Sequence, residues 1–127
     1  MLTNSKPVIL IPTVKKDEAK SFYESVLGLT FKADDGFALV FDTGGIMLRV
    51  TPVEKFTPHP FSVLGWEVDD IAAAVSGLTA KGVTFEIYDF PWMEQDEQGV
   101  WTAPDLTKVA WFKDPDGNLL SVAQHGK

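Results

Sequence analysis

The stretch WFKDPDGNLLSV, residues 111–122, decides how the C-terminal part of the chain folds. Its centre has the composition of a tight turn: Pro115 presets φ for the second turn position, Asp116 suits the third, and Gly117 supplies positive φ directly afterwards. Short apolar runs flank the turn, so we predict a β-hairpin. A well-specified turn fixes strand register, which decides whether side chains such as Ser121 point inward.

The composition bounds the class of protein. Of the 127 residues, 45% are hydrophobic and 12% aromatic, enough for one compact domain with a buried core. There is no cysteine, which excludes disulfides and thiolate metal sites and fits a cytoplasmic location. The apolar run VILI, residues 8–11, is far too short for a signal peptide or a membrane span. We therefore expect no association with a membrane.

The charge balance argues against a nucleic-acid partner. The formal net charge is −7, from 18 acidic and 11 basic residues, and Lys15-Lys16 is the one basic cluster in the sequence. Nucleic-acid binding depends on Lys and Arg side chains that neutralise phosphates. An acidic surface of this kind promotes solubility and attracts cations.

Two segments carry helical periodicity and end signals of their own. The first, residues 17–28, has Asp17 near its N-cap and Gly28 after its last turn. The second, residues 69–82, lies between Asp70 and Gly82. The apolar faces consist of Ala19, Phe22, Tyr23, Val26 and Leu27 in the first helix and of Ile71, Ala74, Val75 and Leu78 in the second.

The chain also repeats itself. Each helix is followed by nearly the same phrase, GLTF at residues 28–31 and GVTF at residues 82–85. An apolar β-type run precedes each helix, and three short strands are predicted after it, those of the second half being VTFEIY, KVAWF and LLSVA. We predict a single α+β domain, residues 1–127, built from two βαβββ modules. Their expected limits are about 7–53 and 62–125, with a linker at about 54–61.

Residues 89–107 form a long segment with almost no periodicity. Irregular segments longer than about 12–15 residues are usually functional or disordered in compact domains. This one contains Phe90, Trp92 and Trp101, which are too apolar for a solvated linker. We therefore predict either a lid over a binding site or a flap in a subunit interface.

Three motifs together resemble the vicinal oxygen chelate superfamily, which includes glyoxalase I, extradiol dioxygenases, fosfomycin resistance enzymes and bleomycin resistance proteins. They are a helix of the form A-x-x-F-Y-x-x-x-L-G-L, the phrase E-V-D-D-I before the second helix, and F-x-D-P-D-G-N near the end. The resemblance covers nearly the whole chain. The matching residues are Ala19, Phe22, Tyr23, Leu27, Gly28, Leu29, Glu67–Ile71, Phe112 and Asp114–Asn118.

The resemblance implies a curved mixed sheet around a cavity, a homodimer, and a divalent metal held by His, Gln or Glu. Carried over to this chain, the four metal positions fall on Val8, Arg49, Val63 and Ser121. Valine has no donor, arginine places a positive charge where the metal would lie, and serine is a poor neutral ligand. A shift of one residue does not restore the ligands. We therefore predict a cavity without a metal or another cofactor.

The remaining metal candidates are weak. The chain has two histidines, His59 between prolines of the linker and His125 near the C-terminus, and we expect both to be exposed and without a role. The phrase DPDGN is similar to the start of a calcium loop. Its glycine comes too early, however, and His125 stands where the closing glutamate would be.

Six residues are the candidate ligand contacts, and no catalytic residue is assigned. The resemblance implies that Trp111 points into the cavity across from Ser121, although Trp111 also suits the core. Arg49 would pair with a carboxylate or phosphate or with an internal partner such as Glu67, and both also suit an exposed strand position. Aromatic rings beside Glu94, Asp96 and Glu97 suit a cationic or planar ligand. The full set is Arg49, Glu67, Trp92, Trp101, Trp111 and Ser121.

Three classes of function remain open from the sequence. The first is a glyoxalase/bleomycin resistance-like protein that binds a small organic molecule without metal. The second is a divergent enzyme of the superfamily, such as a glyoxalase-type lyase or a dioxygenase-like protein. The third is a structural or regulatory dimer subunit.

Overall fold

The computed structural model describes residues 1–126, which form two compact units. The first unit is Met1–Thr57, and the second begins at Pro58. Each has the order strand, helix, strand, strand, strand, so the predicted α+β fold with two βαβββ modules is confirmed. No helix within residues 1–126 is long and apolar enough to cross a membrane.

The first unit is a four-stranded mixed sheet with a helix on one face. Its order is β1-β4-β3-β2, with β1 parallel to β4 and the other pairs antiparallel. The elements are β1 (Val8–Thr13), α1 (Lys16–Ser21), which continues as a π-helical turn (Phe22–Val26), β2 (Thr30–Asp34), β3 (Leu39–Thr43) and β4 (Ile46–Pro52).

Alternation along the strands decides which face of the first sheet is buried. Ile11, Phe41 and Leu48 point to the helix side, where they are buried together with Ala19 and Tyr23. The opposite face of β1 and β4 remains open: Val8, Leu10 and Met47 are exposed.

The second unit repeats this topology with the sheet order β5-β8-β7-β6. Here β5 is parallel to β8, and the other pairs are antiparallel. The elements are β5 (Leu64–Glu67), α2 (Ile71–Ala80), β6 (Trp101–Thr102), β7 (Lys108–Lys113) and β8 (Leu119–Gln124).

Both helices lie where the periodicity predicts them, but their N-termini differ. Asp70 caps α2 as predicted, because its side chain accepts a hydrogen bond of 3.1 Å from the backbone N–H of Ala73. Asp17 lies near the N-cap of α1, as predicted, but it is not the cap itself: α1 begins at Lys16 after the N-cap Lys15, so Asp17 lies within the first turn. There its charge still complements the helix dipole.

One prediction for the second unit is wrong. Residues 83–88, predicted as a strand, form a single bridge between Phe85 and Phe112. The remaining outer edge of β7 pairs with β6, which lies inside the segment expected to be irregular. Two separate segments, residues 83–88 and β6, thus pair with the same edge of β7. The apolar character of residues 83–88 does not by itself show how far they pair.

Candidate functional site

The predicted hairpin forms and is held by one side chain. Asp114, which is 6% exposed, accepts hydrogen bonds of 2.9 Å from the backbone N–H groups of Asp116 and Asn118. The amide of Asn118 donates a third bond of 2.9 Å to the other carboxylate oxygen. Gly117 has φ of 87°, the left-handed conformation that the turn requires. The resulting register places Trp111 opposite Ser121, as predicted.

Four aromatic side chains form a cluster with Trp111 on the sheet face that is opposite to α2. In the order of the sequence, each ring contacts the following one, and the fifth ring also contacts the first, with centroids 5.5 to 6.2 Å apart. We call these residues the aromatic cluster: Tyr88, Phe90, Trp92, Trp101 and Trp111.

The geometry within the aromatic cluster is that of a stack with an exposed end. The rings of Tyr88, Phe90 and Trp92 are nearly parallel, with interplanar angles of 13° and 1°. Trp92 meets Trp101 edge to face, and Trp101 is tilted by 31° to Trp111. Phe90 is 46% exposed and Trp92 66% exposed. Contiguous exposed aromatic surface of this kind often marks a binding site.

Gln95 holds the segment that carries the exposed rings, and no sequence pattern pointed to it. Its side-chain oxygen accepts from the backbone N–H of Tyr88 at 2.7 Å. Its amide nitrogen donates to the carbonyl groups of Glu86 and Gly99, each at 2.9 Å. Gln95 also forms a backbone bridge to Trp101. The half-buried side-chain amide of Gln95 therefore connects the two ends of residues 86–101, which we call the aromatic segment.

An acidic cleft of about 500 Å³ opens beside Trp92 and Trp101. The carboxylate of Asp96 accepts from the backbone N–H groups of Gln98 and Val100 at 2.9 Å, which fixes it at the rim. Glu94 makes no ion pair with any residue from 1 to 126, so its charge is available to a ligand. The lining residues are Trp92, Glu94, Gln95, Asp96, Val100, Trp101 and Thr102.

Ser121 does not stand alone on its strand. Its Oγ lies 2.8 Å from the Oγ of Ser62, which also contacts the carbonyl oxygen of Leu64 at 3.1 Å. On β5 the register partner of Ser121 is Gly65. A Cβ atom at residue 65 would lie 2.7 Å from Ser121 Oγ, so the glycine leaves room for this hydroxyl.

Arg49 has a partner within its own unit. Its guanidinium lies 2.8 Å from the carboxylate of Asp35, so Arg49 has an internal partner, as one of the alternatives expected, but this partner is Asp35 and not the suggested Glu67. Hydrogen bonds from the backbone N–H groups of Phe37 and Ala38, followed by the bond from Arg49, lower the pKa of Asp35 to about 2. The Arg49 charge is therefore already compensated.

Glu67 and the two histidines also make contacts that the sequence did not reveal. His125 is exposed, as expected, and its Nδ1 lies 3.2 Å from the carboxylate of Glu67. His59 is exposed, as expected, and its ring stacks on Phe61 with centroids 4.9 Å apart.

Tyr88 is a titratable member of the aromatic cluster. Burial, and secondarily the charge of Glu86, raises the pKa of Tyr88. Its hydroxyl therefore remains protonated at neutral pH and offers a hydrogen-bond donor.

The side chains at the four expected metal positions do not fit a divalent ion. Val8 and Val63 offer no donor, Arg49 binds Asp35, and Ser121 contacts Ser62. Within residues 1–126 no three side chains of the types His, Cys, Asp and Glu are close enough together to hold a metal ion.

The structure thus groups some predicted residues and not others. Trp92, Trp101 and Trp111 share the aromatic cluster, and Ser121 is the cross-strand neighbour of Trp111. Glu67 lies at the other end of β5 beside His125, and Arg49 belongs to the first unit. Ser62, Gly65, Tyr88 and Gln95 join the site from the structure alone.

Comparison with known proteins gives one family. A family model described as Glyoxalase/Bleomycin resistance protein/Dioxygenase superfamily matches residues 7–122. No curated protein matches the chain in sequence.

Solved structures share the fold over nearly the whole chain. A glyoxalase/bleomycin resistance protein/dioxygenase from Alicyclobacillus acidocaldarius is 18% identical, with a TM-score of 0.72 over 98% of this chain and 93% of its own. A lactoylglutathione lyase from Agrobacterium tumefaciens is 18% identical, with a TM-score of 0.70 over 98% and 96%. TnmS3, an antibiotic binding protein from Streptomyces sp. CB03234, is 23% identical, with a TM-score of 0.66 over 99% of both chains.

Proposed function

Because the chain belongs to the glyoxalase/bleomycin resistance protein/dioxygenase superfamily, we propose that it binds a small organic molecule on the aromatic cluster without a metal ion. The observation that carries this proposal is the closed set of five ring contacts with two exposed members, Phe90 and Trp92. A planar ligand would extend the existing stack and cover apolar surface that now faces water.

The neighbouring charges favour a cationic or electron-poor aromatic ligand. Glu94 and Asp96 line the same cleft as Trp92 and Trp101. A cation over an aromatic face gains roughly 0.5 to 2 kcal/mol, and nearby carboxylates add attraction. The net charge of −7 acts in the same direction at longer range. The antibiotic binding protein from Streptomyces illustrates that this fold can serve binding.

The donor chemistry supports binding without metal. Metal-dependent members of the superfamily need His, Gln or Glu donors, whereas this chain has Val8, Arg49, Val63 and Ser121 at the corresponding positions. Ser121 is also committed to Ser62. We propose in addition that the protein is a homodimer in the cytoplasm and that residues 1–127 function as one domain.

A metal-independent enzyme is the second candidate, because Tyr88 offers a proton donor beside the stack. Burial raises the pKa of Tyr88, and its ring contacts Trp111 edge to face at 5.6 Å between centroids. The protonated phenol can donate a hydrogen bond to a substrate bound on the stack. Replacement of Tyr88 by Phe separates the two candidates: a binding protein keeps its ligand affinity within a few fold, whereas an enzyme loses turnover.

Native mass spectrometry of the purified protein tests the proposal most directly. We expect a metal-free dimer, and an organic adduct that survives desolvation would give the mass of the ligand. Fluorescence titration of that ligand in the presence of EDTA should quench tryptophan emission. A stoichiometric metal, or a ligand that leaves the tryptophan emission unchanged, would contradict the proposal.

A further inference from the structure

The Ser62 and Ser121 hydroxyl groups form a chain with one direction. Ser62 Oγ contacts both Ser121 Oγ at 2.8 Å and the carbonyl oxygen of Leu64 at 3.1 Å. A carbonyl oxygen can only accept, and each hydroxyl has one proton. Both contacts are hydrogen bonds at the same time only if Ser62 donates to Leu64 and Ser121 donates to Ser62. The proton of Ser121 is then used within the protein, and its oxygen, with two lone pairs, can only accept further hydrogen bonds.

The surroundings of Ser121 hold its oxygen in this position. Ser121 lies between Gly65 on β5 and Trp111 on β7. Because residue 65 has no Cβ, the Oγ of Ser121 fills the space above the glycine and reaches Ser62. Both serines are half-buried, so the pair remains accessible from the sheet face that carries Trp111.

We infer that Ser121 is a hydrogen-bond acceptor that selects ligands carrying an N–H or O–H donor, and that Ser62 is the positioning residue that sets this polarity. The inference rests on the proposed function and extends it, since it requires that a ligand bound on the aromatic cluster reach the indole of Trp111. It assigns the ligand a donor group at the edge of its ring, beside the indole of Trp111. A neutral ligand of equal shape that has only acceptors would face the Ser121 lone pairs and bind more weakly.

Two probes of nearly equal shape test the polarity. Benzimidazole has a ring N–H, and 1-methylbenzimidazole has a methyl group in its place; both are planar and uncharged at mildly alkaline pH. Their dissociation constants can be measured by NMR from the shifts of the indole N–H signals of Trp101 and Trp111. We expect benzimidazole to bind the wild-type protein roughly fivefold more tightly, the effect of one hydrogen bond.

Variants separate the hydrogen bond from the bulk of the methyl group. Ser121→Ala should remove the preference for benzimidazole, because the acceptor is lost while the space remains. Ser62→Ala should reduce the preference in a different way: the Ser121 hydroxyl no longer donates to Ser62, so its proton is free to hydrogen-bond the unprotonated ring nitrogen of either probe. A purely structural role of Ser62 would instead weaken both probes equally. Ser62→Thr keeps the hydroxyl and should restore the wild-type preference.

Gly65→Ala gives an independent test that leaves both serines in place. Its Cβ would lie 2.7 Å from Ser121 Oγ, so the hydroxyl must rotate away from Ser62. We expect the preference to fall as it does in Ser62→Ala. An unchanged probe ratio in Ser121→Ala or Ser62→Ala would overturn the inference while leaving the proposed function intact. If neither probe shifts the indole signals at saturating concentration, the aromatic cluster is not a binding site, and the inference is overturned with the proposed function.

Discussion

At the scale of single residues, Trp111 connects the sheet to the aromatic cluster. Its ring contacts Tyr88 and Trp101, and its strand partner is Ser121. Replacement of Trp111 by Leu should weaken ligand binding about two- to tenfold, because an aromatic pair is worth about 0.5–1.5 kcal/mol beyond its buried area. The measurement is a ligand titration by NMR or calorimetry.

Trp66 provides the matched control for this substitution. It lies on β5 opposite Val122, whose side chain is buried on the face toward α2. Trp66→Leu should lower stability and leave ligand affinity unchanged. If Trp66→Leu weakens binding as much as Trp111→Leu does, the effect of Trp111 comes from folding and not from contact with the ligand.

Asp35 gives a pH-dependent prediction at the same scale. Its folded-state pKa is about 2, below the value of about 3.9 for an unfolded chain. A lowered carboxyl pKa contributes stability that is fully present above about pH 4 and is lost as the pH falls toward 2. Asp35→Asn should therefore be less stable than the wild type at neutral pH, and the difference should shrink between pH 4 and 2.

Urea denaturation at a series of pH values measures this difference. The amide oxygen of Asp35→Asn can still accept from Phe37 and Ala38, so the loss is that of charge. Arg49→Gln is the control: it removes the ion pair but leaves these two backbone bonds, and should retain part of the pH dependence. A constant difference between the wild type and Asp35→Asn across this range would contradict the assignment.

At the scale of elements, Asp114 determines whether the β7–β8 hairpin keeps its register. Its buried carboxylate accepts three hydrogen bonds within the turn. Asp114→Ala leaves the backbone N–H groups of Asp116 and Asn118 without this acceptor and should cost about 3 kcal/mol. Chemical denaturation measures the loss of stability.

Asp116→Ala, at a neighbouring turn position, is the control and should cost clearly less. Equal losses in the two variants would show that stability depends on the turn in general and not on the Asp114 carboxylate.

Gln95 has the corresponding role in the aromatic segment. Gln95→Leu removes bonds to Tyr88, Glu86 and Gly99, so residues 86–101 should open more often than the sheet. Hydrogen exchange of the Tyr88 amide should become at least tenfold faster, and ligand affinity should fall. Gln98→Leu is the control, because Gln98 is exposed and its side-chain amide donates to the hydroxyl of Ser76, away from residues 86–88. If Gln95→Leu keeps the exchange rate, Gln95 does not order this segment.

The elements that could be predicted from the sequence are those whose determinants are local. Asp70 caps α2, Gly117 terminates the turn, and alternation fixes the faces of β7 and β8. The order of residues 86–101 could not be predicted, because it depends on Gln95, whose side chain reaches residues up to nine positions away. The Ser62–Ser121 pair is separated by 59 positions, a distance that no local pattern spans.

At the scale of the whole molecule, the two units carry the same topology and both depart from the metal-binding pattern. Val8 and Arg49 belong to the first unit, and Val63 and Ser121 to the second. Under the metal-free proposal no added metal ion should stabilise the folded protein, so its thermal stability is a direct test.

We expect the melting temperature to be the same with EDTA and with saturating Zn²⁺, Ni²⁺ or Mn²⁺. A ligand at about 1,000 times its dissociation constant stabilises the folded state by about 4 kcal/mol. For a chain of this length such a gain would raise the melting temperature by many degrees, since 1 kcal/mol corresponds to roughly 2–8 °C.

The Glu67–His125 pair is an exposed site that could hold Zn²⁺ weakly, so His125→Gln is measured in parallel. A metal-dependent rise of several degrees that persists in His125→Gln and reverses with EDTA would mean that other donors form a metal site, and the metal-free proposal would be wrong.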